Sequence, residues 1–161
     1  MKGILGTAVI VCALAMAGGA LAADYTTVKV ETTVDRPIEA VWPKVGGFCQ
    51  IGDWLKRLPC VLTSGTGDLG SVRKLNGTIV EVMVAQTRYS YTYAQPDNKI
   101  LYHGTLAAEP ADGGKKTRLI YSLVYDQEPD GTQEAKDKDR ANRVNNWTGA
   151  LASMKALAEA K

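Results

Sequence analysis

Residues able to do chemistry are few in this chain and unevenly spread. Six of the seven tyrosines (Tyr89, Tyr91, Tyr93, Tyr102, Tyr121 and Tyr125) fall between residues 89 and 125, against a single phenylalanine in the whole sequence. Each contributes a large apolar ring and a hydroxyl that needs a partner once buried. Aromatic rings also suit pleated surfaces for packing reasons alone, so the cluster reads either as sheet core or as the wall of a site. Cys49 and Cys60 bracket a run holding Trp54, Asp53 and two basic residues, "CQIGDWLKRLPC". Their spacing is not the Cys-x-x-Cys of redox exchange. With the single His103 far away, no metal-ligand spacing and no Ser-His-Asp set can be assembled, so no metal and no cofactor are expected. "GTGDLG" at 65–70 lacks the Lys-Ser/Thr that follows a phosphate loop and reads as a turn.

The chemistry open to two cysteines depends on compartment, which the N-terminus addresses. Lys2, an apolar run from Ile4 to about Ala17 and the closing Ala20-Leu21-Ala22 have the pattern of a cleaved secretory leader. The run is too short and too broken by Gly18 and Gly19 for a stable membrane anchor. The expectation is a signal peptide at 1–22, one mature domain at 23–161, and a periplasmic or secreted protein of the bacterial cell envelope. Cleavage removes Cys12, and two thiols left in an oxidising compartment usually pair. A Cys49–Cys60 disulfide is therefore expected, clipping a helical lid with Trp54 as its apolar plug. The formal net charge of +2 falls to +1 with Lys2 removed, and no basic cluster extends beyond Lys115-Lys116. That excludes an electrostatic footprint for nucleic acid. Oligomeric state is not legible.

The elements that must position these residues follow from periodicity. Tyr25–Val34 alternates apolar and polar residues as a strand does. "DRPIEAVWPKVGGF" has helical spacing with Pro43 arguing for a short or broken helix, and a second short helix is expected over Gly52–Leu58. Six further strands are predicted at Val61–Ser64, Ser71–Leu75, Thr78–Ala85, Thr87–Gln95, Lys99–Glu109 and Lys116–Gln127, divided by glycine and asparagine turns. A long amphipathic helix closes the chain, its mixed-charge opening "EAKDKDRANR" reading as a solvated face. The fold class is α+β: a seven-stranded antiparallel sheet with helices on one side.

That order, with "DRPIEAVWPKVGGFCQIGDW", "GDLGSVRKL", "GTIVEVMVAQTRYSYTYAQ", "LYHGTLAAEP" and "GKKTRLIYSLVYD", resembles the START-like (helix-grip, SRPBCC) superfamily. Within it the chain is most similar to the polyketide cyclase/dehydrase and lipid-transport group, which includes the plant abscisic-acid receptors. Nearly all of the mature chain is covered. The resemblance implies a curved sheet wrapped around the C-terminal helix with a deep cavity between them. Its pattern turns Arg73, Leu75, Ile79, Glu81, Met83, Tyr89, Tyr91, Tyr93, Tyr102, Gly104, Leu106, Leu119, Tyr121, Leu123 and Tyr125 inward. Val144, Trp147, Leu151 and Met154 would close the wall from the helix, and His103 would face outward. The receptors' gate loop is replaced by a tight Asn76-Gly77 turn, their basic residue by Leu58 and their helix amide by Ala150. The ligand-holding fold is thus implied, and hormone reception is not.

Two functions are compatible with that cavity. The first is a binding or carrier protein for an apolar or aromatic small molecule, phenolic, polyketide- or lipid-like, with the tyrosines as pocket wall. The second is a cofactor-independent lyase, cyclase or dehydratase, with Glu81 or Tyr102 moving a proton and Arg73 stabilising negative charge. Arg73 and Glu81 can equally form a structural ion pair between neighbouring strands, because buried charges must be paired.

Overall fold

The computed structural model describes residues 23–160; the expected leader at 1–22 lies outside the described residues. Strand β1 (Tyr25–Val34) leads into two short helices, α1 (Ile38–Val45) and α2 (Ile51–Trp54). Six strands follow: β2 (Cys60–Ser64), β3 (Val72–Leu75), β4 (Ile79–Thr87), β5 (Ser90–Ala94), β6 (His103–Ala111) and β7 (Lys116–Asp126). The chain ends in α3 (Gln133–Glu159). All seven strands form one antiparallel sheet in the order β1-β7-β6-β5-β4-β3-β2. This is the expected α+β helix-grip arrangement.

Side-chain alternation decides which face of the sheet is apolar. Val28, Val30 and Val34 of β1 point to the same side as Leu119, Tyr121, Leu123 and Tyr125 of β7, all buried. Leu106 and Ala108 from β6 and Tyr91 and Tyr93 from β5 continue that face. Against it pack Ala150, Leu151, Met154 and Ala158 from the second half of α3, with Ile38, Val41, Val45, Phe48, Ile51 and Trp54 from the helical segment. Thr132 caps α3, its hydroxyl accepting from Ala135 N at 3.2 Å, which sets where the helix begins.

Several boundaries differ from the sequence reading, each for a local reason. The β4–β5 turn lies at Arg88 and Tyr89, because Thr87 pairs with Ser90, rather than near Gln86. β6 starts at His103, not Lys99, since Leu101 takes a positive φ of 51° that no strand accommodates. α2 stops at Trp54 instead of reaching Leu58; the residue before Pro59 is disfavoured in helix, and the chain must turn back to the sheet. α1 carries Pro43 in its last turn and is short but unbroken.

Candidate functional site

The turn between β3 and β4 places the first polar pair. Asn76 and Gly77 both adopt positive φ, 48° and 72°, a conformation these two residue types tolerate best. The register this turn sets puts Arg73 directly opposite Glu81. Arg73 Nε donates to Glu81 Oε2 at 2.7 Å, and Nη2 lies 2.5 Å from the same oxygen. Arg73 Nη1 donates to the Phe48 carbonyl, and its guanidinium lies 4.2 Å from the Phe48 ring centre and 5.0 Å from that of Tyr93. Both side chains are buried, at 0% and 2% exposure. The other Glu81 oxygen, Oε1, accepts from Gln95 Nε2 at 2.7 Å, and Gln95 Oε1 accepts from Asn98 Nδ2 at 2.6 Å. A chain of polar groups therefore runs from Phe48 through Arg73, Glu81 and Gln95 to Asn98.

The tyrosines pack chiefly on one another. Tyr93 and Tyr121 share a hydrogen bond between hydroxyls at 2.9 Å, and Tyr121 stacks on Trp147 with ring centres 3.8 Å apart. Tyr93 fits because its cross-strand neighbour is Gly104: a Cβ there would sit 2.3 Å from the Tyr93 hydroxyl oxygen. The hydroxyls of Tyr91 and Tyr125 are buried with no protein partner among the described residues. Burial pushes the phenols of Tyr91, Tyr93 and Tyr121 above their ordinary value, and Tyr102 is pushed up to about 12 by the same cause. These groups are neutral, weakly acidic phenols at physiological pH.

A cavity of about 240 Å³ lies at the end of this interior, between α3, the α2 segment and strands β3 to β5. Ile51, Leu58, Leu75, Ile79, Ile100 and Trp147 give its apolar lining. Glu81, Gln95, Asn98, Tyr93, Tyr102 and Arg143 give its polar side. Ile79, Gln95 and Asn98 also border a shallower outer groove of about 420 Å³.

Of the residues expected to face the cavity, the structure brings Leu75, Ile79, Glu81, Tyr93, Tyr102 and Trp147 to its lining. Arg73 sits behind Glu81, enclosed by the Phe48, Tyr91 and Tyr93 rings. Met83, Tyr91, Tyr121, Tyr125 and Leu151 are core residues away from the lining. Tyr89 lies at the β4–β5 turn, half-buried, its ring edge-on to Trp42 with centres 6.3 Å apart. Val144 is exposed, because the inward stripe of α3 runs through Arg143 and Trp147. Trp54 is not a plug: it is core, its Nε1 donating to the Val45 carbonyl at 3.3 Å, while Ile51 and Leu58 of the same segment border the cavity.

The disulfide joins Cys49 to Cys60 with Cα atoms 5.4 Å apart, tying the helical segment to β2 at the sheet's edge. His103 is exposed, with Nδ1 2.8 Å from the Leu101 carbonyl.

Three polar residues of the cavity, Gln95, Asn98 and Arg143, escaped the sequence reading, as did the apolar Ile100. Gln95 and Asn98 belong to a tight connection in which Gln95 N donates to the Tyr102 carbonyl at 2.9 Å and Asn98 N to the Gln95 carbonyl at 3.1 Å. That connection looks like an ordinary turn from its Pro96-Asp97-Asn98. Arg143 was hidden in a mixed-charge run, although it lies four residues, about one helical turn, before Trp147, a spacing that signals a shared face.

Residues 25–159 match the family described as polyketide cyclase / dehydrase and lipid transport. The chain belongs to that family. The family's fold is shared by solved structures at low sequence identity. A protein from Thermobifida fusca is 21% identical with a TM-score of 0.67, over 83% of this chain and 91% of its own. One from Nitrosospira multiformis is 23% identical with a TM-score of 0.64, over 81% of this chain and 94% of its own. The di-domain ARO/CYC BexL from the BE-7585A biosynthetic pathway is 17% identical with a TM-score of 0.65, over 85% of this chain and 51% of its own. No curated protein matches the sequence. Among the described residues, no three His, Cys, Asp or Glu side chains cluster as metal ligands, and no helix is long and apolar enough to cross a membrane.

Proposed function

We propose that this family member is an exported binding protein that takes one small, mainly apolar molecule, about a substituted aromatic ring in size, out of water. The cavity between α3 and the Glu81-Gln95-Asn98 chain carries this reading. Its apolar lining supplies the driving force, and its polar groups gather on one side to orient a ligand. A cavity of about 150 Å³ accommodates benzene, so 240 Å³ suits a ring with substituents better than a fused polycycle. The Cys49–Cys60 bond supports an oxidising compartment, as export would provide.

The groups that a lyase or cyclase would use are committed elsewhere. Both Glu81 oxygens are already hydrogen-bonded, Arg73 Nε and Nη1 donate to Glu81 and the Phe48 carbonyl, and burial pushes the Tyr102 phenol up to about 12. These commitments support binding without turnover. The test is native mass spectrometry of the purified mature protein after exposure to a phenolic and lipid extract, alongside Leu58→Trp, which fills the cavity. A retained small molecule, displaced in the variant and recovered unchanged, is the expected result. Chemical conversion of the bound molecule that stops in Glu81→Gln would instead establish the enzyme.

A further inference from the structure

Arg143 is the cavity's only lining residue with a positive charge, and it is unusually well held. Its Nε donates to Asp139 Oδ2 at 2.7 Å, one turn back on α3. Its guanidinium lies 4.0 Å from the ring centre of Tyr125 and 5.5 Å from that of Tyr102. One edge bonded and one face stacked leave the Nη1 and Nη2 atoms with no protein acceptor among the described residues. Arginine presents those atoms as a planar fork matched to a carboxylate.

The remaining hydrogen-bonding capacity of the cavity has the same sense. Glu81 offers little as an acceptor, since Oε2 is taken by Arg73 and Oε1 by Gln95. Gln95 Oε1 is taken by Asn98, and Asn98 Oδ1 by the Ile100 amide at 3.2 Å. Each of those two amide groups keeps a second N–H to give. The buried Glu81 charge is balanced by Arg73, and Asp139 sits on the Nε edge of Arg143, away from the open fork. The site is rich in donors and poor in acceptors.

We propose that Arg143 is the specificity-determining residue of the cavity and selects an anionic ligand: a single-ring aromatic carboxylate whose carboxyl group takes the guanidinium fork. This rests on the binding function proposed above and names its ligand class. The anion-holding role that the sequence suggested for Arg73 thereby belongs to a residue on the opposite wall.

Isothermal titration with 4-hydroxybenzoate and its methyl ester, against the wild-type mature protein and Arg143→Gln, tests it. The wild type is expected to bind the acid about tenfold more tightly than the ester, the worth of one charge-assisted contact. In Arg143→Gln the two ligands become equal within about twofold, because the acid loses more affinity than the ester. Ester binding as tight as acid binding in the wild type overturns this ligand class while leaving the binding function standing. A preference for the acid that survives in Arg143→Gln overturns the role of Arg143. Failure of both ligands to bind overturns the inference and the ring-sized cavity together.

Discussion

Arg73→Met isolates the energetic role of the buried pair. In that variant Glu81 keeps its bond from Gln95 at 2.7 Å but loses both guanidinium contacts at a site that is 2% exposed. Breaking a buried pair from one side costs about 3–5 kcal/mol, because the surviving charge stays buried without its counterion. The Phe48 carbonyl also loses its donor, worth about 1 kcal/mol. Arg73→Met combined with Glu81→Leu removes the orphaned charge, and most of the loss should return, leaving a deficit of roughly 1–2 kcal/mol. The expected coupling between the two positions therefore exceeds about 2 kcal/mol, since the double variant loses less than Arg73→Met alone. Urea unfolding of the four proteins, followed by far-UV circular dichroism with the disulfide intact, measures it. At about 3 °C per kcal/mol for a domain of this size, the single variant should also melt roughly 10–15 °C lower. A single-variant cost below about 1 kcal/mol, or costs that simply add in the double variant, would refute the pair as a brace between β3 and β4.

Three further outcomes follow from the packing and the covalent clip. Gly104→Ala drives its Cβ to 2.3 Å from the Tyr93 hydroxyl, so the Tyr93–Tyr121 bond should break and stability fall by about 1–3 kcal/mol; urea unfolding and near-UV circular dichroism report it. Cys49→Ser with Cys60→Ser should lower stability by about 2–4 kcal/mol, and the mature wild type without Cys12 should show no thiol accessible to labelling without reductant. Alkaline titration followed by phenolate absorbance should split in two. Tyr91, Tyr93 and Tyr121 have pKa values raised above the unfolded value of about 10, so their contribution to stability is complete below pH 10 and lost as pH rises beyond it. Their phenolate signal should therefore appear together with unfolding; full tyrosine ionisation before any loss of structure would contradict this.

The sheet and closing helix were legible because period-two and helical patterns report burial directly, as with Leu119, Tyr121, Leu123 and Tyr125 on β7. Arg73 and Glu81 were expected inward from the resemblance, and the structure buries them as a pair. Connections were less legible. Leu101 holds a positive φ in an apolar stretch that reads as strand, fixed there by its own N–H donating to the Asn98 carbonyl at 3.1 Å and by Asp126 N donating to the Ile100 carbonyl at 2.8 Å. Tyr89 followed its neighbours Tyr91 and Tyr93 in sequence but not in space, since the hairpin turns at its own position. Whether clustered phenols line a space or fill it depends on the volume between sheet and helix. Here Trp147 stacks on Tyr121 within that volume, which no linear pattern encodes.

The sheet order also has a temporal meaning. Every residue of β1 registers against β7, with Tyr25 opposite Asp126 and Val34 opposite Thr117. β2 through β7 each find a neighbour in the next segment of chain, whereas β1 waits for the last strand to arrive. Long-range closure of this kind is slow, and it leaves an unpaired strand exposed until the end. For a chain emerging N-terminus first, the earliest strand made is the last to be joined. Sheet topology therefore predicts that the meander from β2 to β7 forms before β1 docks.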